Sequence, residues 1–128
     1  MTKKRILKTK TFSRWLIKNN LNSRHLIEAV EEMERGLIDA DLGCNVYKKR
    51  VKLIGMGKRG GARIIVATKL LKQWYLMFGF AKNEKSNISN DELIFFQETA
   101  KRLLHLSDRE IDSAIHANQL EELKIDEK

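Results

Sequence analysis

Residues 62–82 read ARIIVATKLLKQWYLMFGFAK, and this stretch decides the fold. Its two apolar runs, IIV and WYLMF, are too continuous for strands that have one face in water. They predict two central strands, at 62–70 and 74–82. The link at 71–73 is so short that it predicts an antiparallel arrangement of the two strands.

Two further strands are expected on the N-terminal side of this pair. Residues 46–54 predict a strand, and the glycine-rich segment 55–61 links it to the strand at 62–70, which extends the antiparallel meander. Residues 5–10 are typical of a short first strand with an incomplete alternation of apolar and polar side chains.

Helices are predicted on both sides of these strands. Thr11 is placed to cap a first helix, and Asn22 begins a second one that ends before Gly36. The segments Ser-Asn-Asp-Glu at 89–92 and Ser-Asp-Arg-Glu at 107–110 are capping boxes, which predict two helix starts in the last third of the chain. The acidic residues 120–128 are expected to fray.

Length and composition indicate one domain and exclude several classes of protein. The 128 residues contain no proline and no repeat, so we expect a single domain over 1–128 with a helical extension from about 89 to 128. A single cysteine, Cys44, and three histidines indicate neither a disulfide framework nor a metal site, and we expect no cofactor. No apolar run approaches the ~20 residues of a membrane helix, and the basic N-terminus lacks a signal-peptide pattern, so we expect a cytoplasmic protein without a membrane partner.

The charge of +8 is unevenly distributed along the chain. Residues 1–85 contain 20 basic and 7 acidic residues, whereas residues 86–128 contain 5 basic and 10 acidic ones. The stretch 48–85 alone has 11 basic residues and one acidic residue, Glu84. Such a concentration favours a face that binds a polyanion over a merely soluble basic surface.

Several basic residues are placed to reach a nucleic-acid backbone. The loop 55–61 lacks the phosphate-loop pattern, but Lys58 and Arg59 lie at its tip. Lys48, Arg50 and Lys52 share one face of the strand at 46–54, although a solvated edge strand also favours lysine.

Arg63 and Lys82 are predicted to form a phosphate clamp. Arg63 opens an apolar strand and Lys82 closes the next one, and in an antiparallel pair these two ends are neighbours. A charge in such surroundings needs a partner or a cleft. The alternative is a structural ion pair between Arg63 and Glu84.

Two motifs carry a resemblance to a known family. The segments Gly-Lys-Arg-Gly-Gly-Ala-Arg at 57–63 and Gly-Phe-Ala-Lys-Asn-Glu-Lys-Ser-Asn-Ile at 79–88 follow the basic pair Lys49-Arg50. Together they resemble the longer-chain branch of the RelE/HigB toxins of toxin–antitoxin systems, which belong to the RelE/ParE superfamily. The turn Asp-Ala-Asp-Leu-Gly at 39–43 also fits, so the similarity covers nearly the whole chain.

This resemblance implies an α+β fold, with two N-terminal helices packed on a small antiparallel sheet and one or two C-terminal helices. It implies a metal-independent endoribonuclease that cleaves mRNA, usually on the ribosome, and that a helix-turn-helix antitoxin holds inactive. By motif position, Arg63 and Lys82 match the basic residues at the active-site end of the sheet. Lys49 and Arg50 match the strand that contacts RNA, and Asn83 and Lys85 are expected to contact RNA as well.

Cleavage without a metal needs a base at the 2′-hydroxyl, an acid at the leaving 5′-oxygen and positive charge on the phosphoryl oxygens. We expect Arg63 to stabilise the phosphorane and Lys82 to do the same or to act as the acid. Lys49 or Lys82 is the candidate base, ahead of Glu84. The sequence departs from several members of the family because no tyrosine follows Lys82.

Two other functions fit parts of the pattern. One is a ParE-like toxin that binds DNA gyrase and cleaves nothing. The other is a non-catalytic module that binds RNA or DNA, which the charge alone would support. Such modules use exposed aromatic side chains as stacking platforms, whereas Trp74, Phe78 and Phe80 have the pattern of core residues.

Overall fold

The computed structural model describes residues 4–19, 21–52, 61–70, 72–82, 84–85 and 87–124. This part of the chain forms four helices and six strands. Their order is β1 (Arg5–Thr9), α1 (Lys10–Lys18), α2 (Ser23–Glu34), β2 (Ala40–Asp41), β3 (Val46–Val51), β4 (Ala62–Thr68), β5 (Gln73–Ala81), α3 (Asn90–Leu104), α4 (Asp108–His116) and β6 (Leu120–Leu123). None of the described helices is long and apolar enough to cross a membrane.

The two apolar runs form the centre of the sheet. Every residue of β4 is buried, and β4 pairs with β5 in the antiparallel register that the short link predicts. Arg63 lies opposite Phe80 and Ala62 opposite Ala81, while the register shifts by one residue between Ile65 and Val66. This bulge lies within the ladder, and the strand ends that carry the basic residues stay in regular register.

The prediction of two N-terminal helices on a small antiparallel sheet was wrong. The sheet has six strands in the order β2-β3-β4-β5-β1-β6, and it is mixed because β1 runs parallel to β5. A strand also precedes the helices in the chain. Ile6 and Leu7 are both fully buried, in the apolar clusters on opposite faces of the sheet, and β1 lies between β5 and β6.

Strand β6 lies in the segment that was expected to fray. It pairs antiparallel with β1, and its end residues Leu120 and Leu123 are buried while the two glutamates between them are exposed. Those glutamates contact the basic residues of β1, since Glu122 pairs with Arg5 and Glu121 with Lys8. Residues 120–123 of the acidic segment therefore form a strand beside a basic one, and the C-terminal region is not purely helical.

Helix caps agree with the sequence in three of four places. Asn22 caps α2, and Ser89 and Ser107 cap α3 and α4 with complete capping boxes. The exception is α1, which begins two residues earlier than predicted because the Thr9 hydroxyl accepts from the Phe12 amide.

The helices cover both faces of the sheet. On one face α1 and α2 pack Phe12 and Leu26 against Ile64 and Trp74. On the other face α3 and α4 pack with Tyr75 in a second apolar cluster. The strands β4 and β5 are consequently buried on both sides, and within them only Gln73 and Phe78 are partly exposed.

Candidate nucleic-acid interface

Two arginines lie directly opposite each other near one end of the sheet. Arg50 of β3 is in register with Arg63 of β4, which is in turn in register with Phe80 of β5. Residues that are opposite each other in an antiparallel pair share a face, so the two guanidinium groups lie on the same side. Like charges in this arrangement destabilise a sheet unless a counter-charge or a bound anion compensates them.

Arg63 is buried, and its counter-charge comes from Asp39, the residue just before β2. The Arg63 side chain is 10% exposed, and its Nε forms an ion pair with the Oδ2 atom of Asp39 at 3.0 Å. A hydrogen bond joins Nη1 of Arg63 to the carbonyl oxygen of Ala62 at 3.4 Å. Within the described residues the ion-pair partner of Arg63 is therefore Asp39 and not Glu84, the residue that the sequence suggested.

Lys82 lies at the same end of the sheet as Arg63. It directly follows β5, its residue is exposed, and its amide donates to the carbonyl oxygen of Gly61 at 3.1 Å. Gly61 directly precedes β4, so this bond continues the β4–β5 pairing beyond Ala81. The structure thus brings together the strand ends that carry Arg50, Arg63 and Lys82.

Three other predicted RNA-binding lysines surround this end. Lys48 lies opposite Ile65, on the same face of β3 as Arg50, and its Nζ contacts Asn87 Oδ1 at 3.4 Å. Lys52 is exposed just beyond β3. Lys85 pairs with Glu92 at 2.8 Å, and the hydrogen bond from Lys85 lowers the pKa of that carboxyl group. Lys85 is therefore the least available of the three.

Lys49 lies on the opposite face of β3 from Lys48 and Arg50. It is 7% exposed, and its Nζ contacts Glu32 Oε1 of α2 at 2.8 Å and the carbonyl oxygen of Leu37 at 3.0 Å. The hydrogen bond from Lys49 lowers the pKa of Glu32. The structure therefore separates Lys49 from Arg63 and Lys82, with which the sequence grouped it.

A cavity of about 310 Å³ lies between α2 and the end of β3. It is lined by His25, Glu28, Ala29, Glu32, Lys49, Arg50, Val51 and Lys52. Positive and negative side chains alternate around it, so it is not a simple anion site. Among the described residues, no group of three His, Cys, Asp or Glu side chains is placed to hold a metal ion.

The remaining predicted residues, Lys58, Arg59 and Asn83, lie outside the described residues. Sequence reasoning in turn missed the acidic partners Asp39 and Glu32. No periodic signal marks either one, since Asp39 lies in a turn and Glu32 looks like part of the solvated face of an amphipathic helix.

Comparison with family models gives a match over nearly the whole chain. A family model described as the RelE toxin of the RelE/RelB toxin–antitoxin system matches residues 4–123, which is nearly the whole chain. No curated protein matches the chain significantly.

Proposed function

Because this chain belongs to the RelE toxin family, we propose that it is an endoribonuclease that cleaves mRNA on the ribosome. Membership itself makes the chain the toxin of a toxin–antitoxin system, with an antitoxin as its partner, and toxins of this family generally inhibit translation. We propose further that the antitoxin is a helix-turn-helix protein and that the toxin acts in the cytoplasm without a metal.

The observation that carries this proposal is the in-register pair of Arg50 and Arg63 beside Lys82. Cleavage by the 2′-hydroxyl builds negative charge on the phosphoryl oxygens, and fixed cations stabilise that charge. The two arginines repel each other in the free protein, and a phosphate that binds between them removes this repulsion. The arrangement therefore favours the phosphodiester group and its transition state.

Each cation has a separate part in the proposed reaction. Arg63 stabilises the phosphorane. Lys82 is exposed, and it protonates the leaving 5′-oxygen or adds to the charge stabilisation, while a group of the ribosome takes the proton of the attacking 2′-hydroxyl. Lys49 faces α2 in an ion pair with Glu32, so we assign it to the stability of the fold.

The remaining basic residues would bind the RNA backbone on either side of the cleaved bond. Lys48, Arg50 and Lys52 lie on the β3 side of the site, and we propose that Lys58, Arg59, Asn83 and Lys85 contact the RNA as well. Contacts of this kind fix the register of the RNA without reading its sequence.

Replacing Arg63 with Ala tests the proposal. Induction of the wild-type chain should arrest growth and produce mRNA cleavage sites that primer extension maps, and Arg63→Ala should remove both effects. Arg14→Ala is the matched control, because it removes the same charge from the exposed side of α1. A fully toxic Arg63→Ala would refute the assignment, and gyrase inhibition by a wild-type chain that leaves mRNA intact would favour the ParE-like alternative.

A further inference from the structure

Asp39 has no part in the function proposed above, yet it makes the ion pair with Arg63. It directly precedes β2, and its amide donates to the carbonyl oxygen of Lys48 at 2.9 Å. Its side chain is 30% exposed, so the carboxylate lies at the boundary between the buried guanidinium group and solvent.

We propose that Asp39 is a positioning residue that orients the guanidinium group of Arg63 toward the phosphate of the RNA. This inference rests on the nuclease function proposed above. Asp39 acts through Arg63 and does not touch the substrate itself.

The geometry of the guanidinium group supports this role. Arginine presents five N–H donors in a fixed planar fork. The Oδ2 atom of Asp39 lies 3.0 Å from Nε in an ion pair, and Nη2 makes no hydrogen bond within the described part of the chain. The edge formed by Nη1 and Nη2 is the one that binds a phosphate with two parallel hydrogen bonds. Holding Nε therefore fixes the direction of that edge.

Electrostatics gives a second reason for a carboxylate at this position. Arg50 lies opposite Arg63 and repels it, and rotation about the long arginine side chain would relieve this repulsion. Asp39 supplies the attraction that keeps Arg63 in place while it leaves Arg50 exposed. Without Asp39, Arg63 would lose its fixed orientation although the charge would remain.

The hairpin that carries Asp39 is itself firmly held. Gly43, Cys44 and Asn45 form its turn with positive φ angles, and the carboxylate of Asp41 accepts from the amide of Gly43 at 3.0 Å. Gln97 of α3 donates to the carbonyl oxygen of Leu42 at 2.8 Å. Asp39 and Asp41 therefore form a natural comparison, because both lie in one hairpin and only Asp39 contacts Arg63.

The test compares Asp39→Ala, Asp39→Asn and the control Asp41→Ala in cleavage of mRNA on purified ribosomes. Asp39→Ala should lower kcat about 10- to 100-fold with a small change in KM, which is typical of a misplaced catalytic group. Asn keeps a polar oxygen beside Nε, so Asp39→Asn should recover most of kcat. Asp41→Ala should lower Tm and leave kcat unchanged. In an Arg63→Ala background, Asp39→Ala should cause no further loss.

The Nε–H resonance of Arg63 in the NMR spectrum gives a readout that does not depend on activity. It should be protected from exchange in the wild type and in Asp39→Asn, and lose this protection in Asp39→Ala. A folded Asp39→Ala with the wild-type kcat would overturn the inference while the nuclease function stands. A wild-type chain that cleaves no RNA, with or without ribosomes, would instead overturn the proposed function and this inference with it.

Discussion

Gly79 shows how one residue of a motif can serve packing. It lies in β5 beneath Trp15 of α1, and an added Cβ would overlap the six-membered ring of the Trp15 indole. The Trp15 indole can pack against β5 at this position only because Gly79 has no side chain. The resemblance of residues 79–88 to a toxin motif thus includes a glycine that joins the first helix to the sheet.

Gly79→Ala should therefore destabilise the fold, by about 1–3 kcal/mol as is typical of an overpacked core. Urea denaturation measures this change in the free energy of unfolding. Gly61→Ala is the matched control, because a Cβ there would lie at an ordinary 3.7 Å from its nearest neighbours. Equal stability of Gly79→Ala and the wild type would show that Trp15 does not pack as described.

The ion pair between Lys49 and Glu32 should make stability depend on pH. Lys49 lowers the pKa of Glu32, so the folded state binds a proton there less readily than the unfolded state does. The stabilisation is therefore present above the usual glutamate pKa of about 4.3 and is lost as the pH falls through the lowered value. Lys49→Met removes the cause of the shift.

Denaturation at pH 7 and at pH 3 measures this effect. The loss of stability between the two pH values should be smaller in Lys49→Met than in the wild type. Lys69→Met is a suitable control, since Lys69 is exposed just beyond β4 and forms no ion pair within the described residues. An identical pH dependence in all three chains would contradict the role assigned to Lys49.

Among the elements, β1 holds the C-terminal part of the chain through one arginine. Arg5 contacts Glu122 of β6 at 2.9 Å, Asp112 of α4 at 2.9 Å and Asp108 of α4 at 3.1 Å. These carboxylates, Glu122 first among them, raise the pKa of Arg5. Because the carboxylates are partly exposed, water weakens each contact, and the network matters more than any single pair.

Arg5→Ala should loosen β6 and α4 and cost about 1–2 kcal/mol of stability. Three neighbouring carboxylates would then repel each other without a counter-charge. Hydrogen exchange should become faster at the amides of Leu120–Leu123, while the β4 amides should change only with global stability. Lys101→Ala, which breaks an exposed pair with Glu98, should leave the exchange of β6 unaltered.

The elements also show which signals in the sequence are sufficient to predict structure. Caps at Asn22, Ser89 and Ser107 depend on residues three positions apart, so the sequence predicts them. The antiparallel β4–β5 pair follows from its short link, and so does the meeting of the strand ends that carry Arg63 and Lys82. The parallel pairing of β1 with β5, the strand β6 and the Asp39–Arg63 pair join distant segments, and no local pattern encodes them.

On the scale of the whole molecule, the fold pairs the acidic C-terminal residues with only some of the basic residues. The acidic C-terminal segment lies against β1, where Glu121 and Glu122 neutralise Lys8 and Arg5. This neutralisation takes place at one edge of the sheet, while the strands β3 to β5, whose ends carry Arg50, Arg63 and Lys82, lie on the other side of β1. Folding therefore makes the distribution of charge more uneven than it is along the sequence, and Arg50 stays exposed.

This distribution predicts how RNA binding should respond to salt. Each phosphate contact releases counterions, so the logarithm of the affinity should fall linearly with the logarithm of salt concentration, by about 0.7 per contact for single strands. Arg50→Ala should weaken binding and reduce the slope by roughly this amount. Fluorescence anisotropy with a 2′-O-methyl RNA, which cannot be cleaved by its own 2′-oxygen, measures binding alone. Arg109→Ala removes an exposed charge from α4 and should leave the slope unchanged. If both variants shift the slope equally, binding follows net charge, and the pair formed by Arg50 and Arg63 has no special part in it.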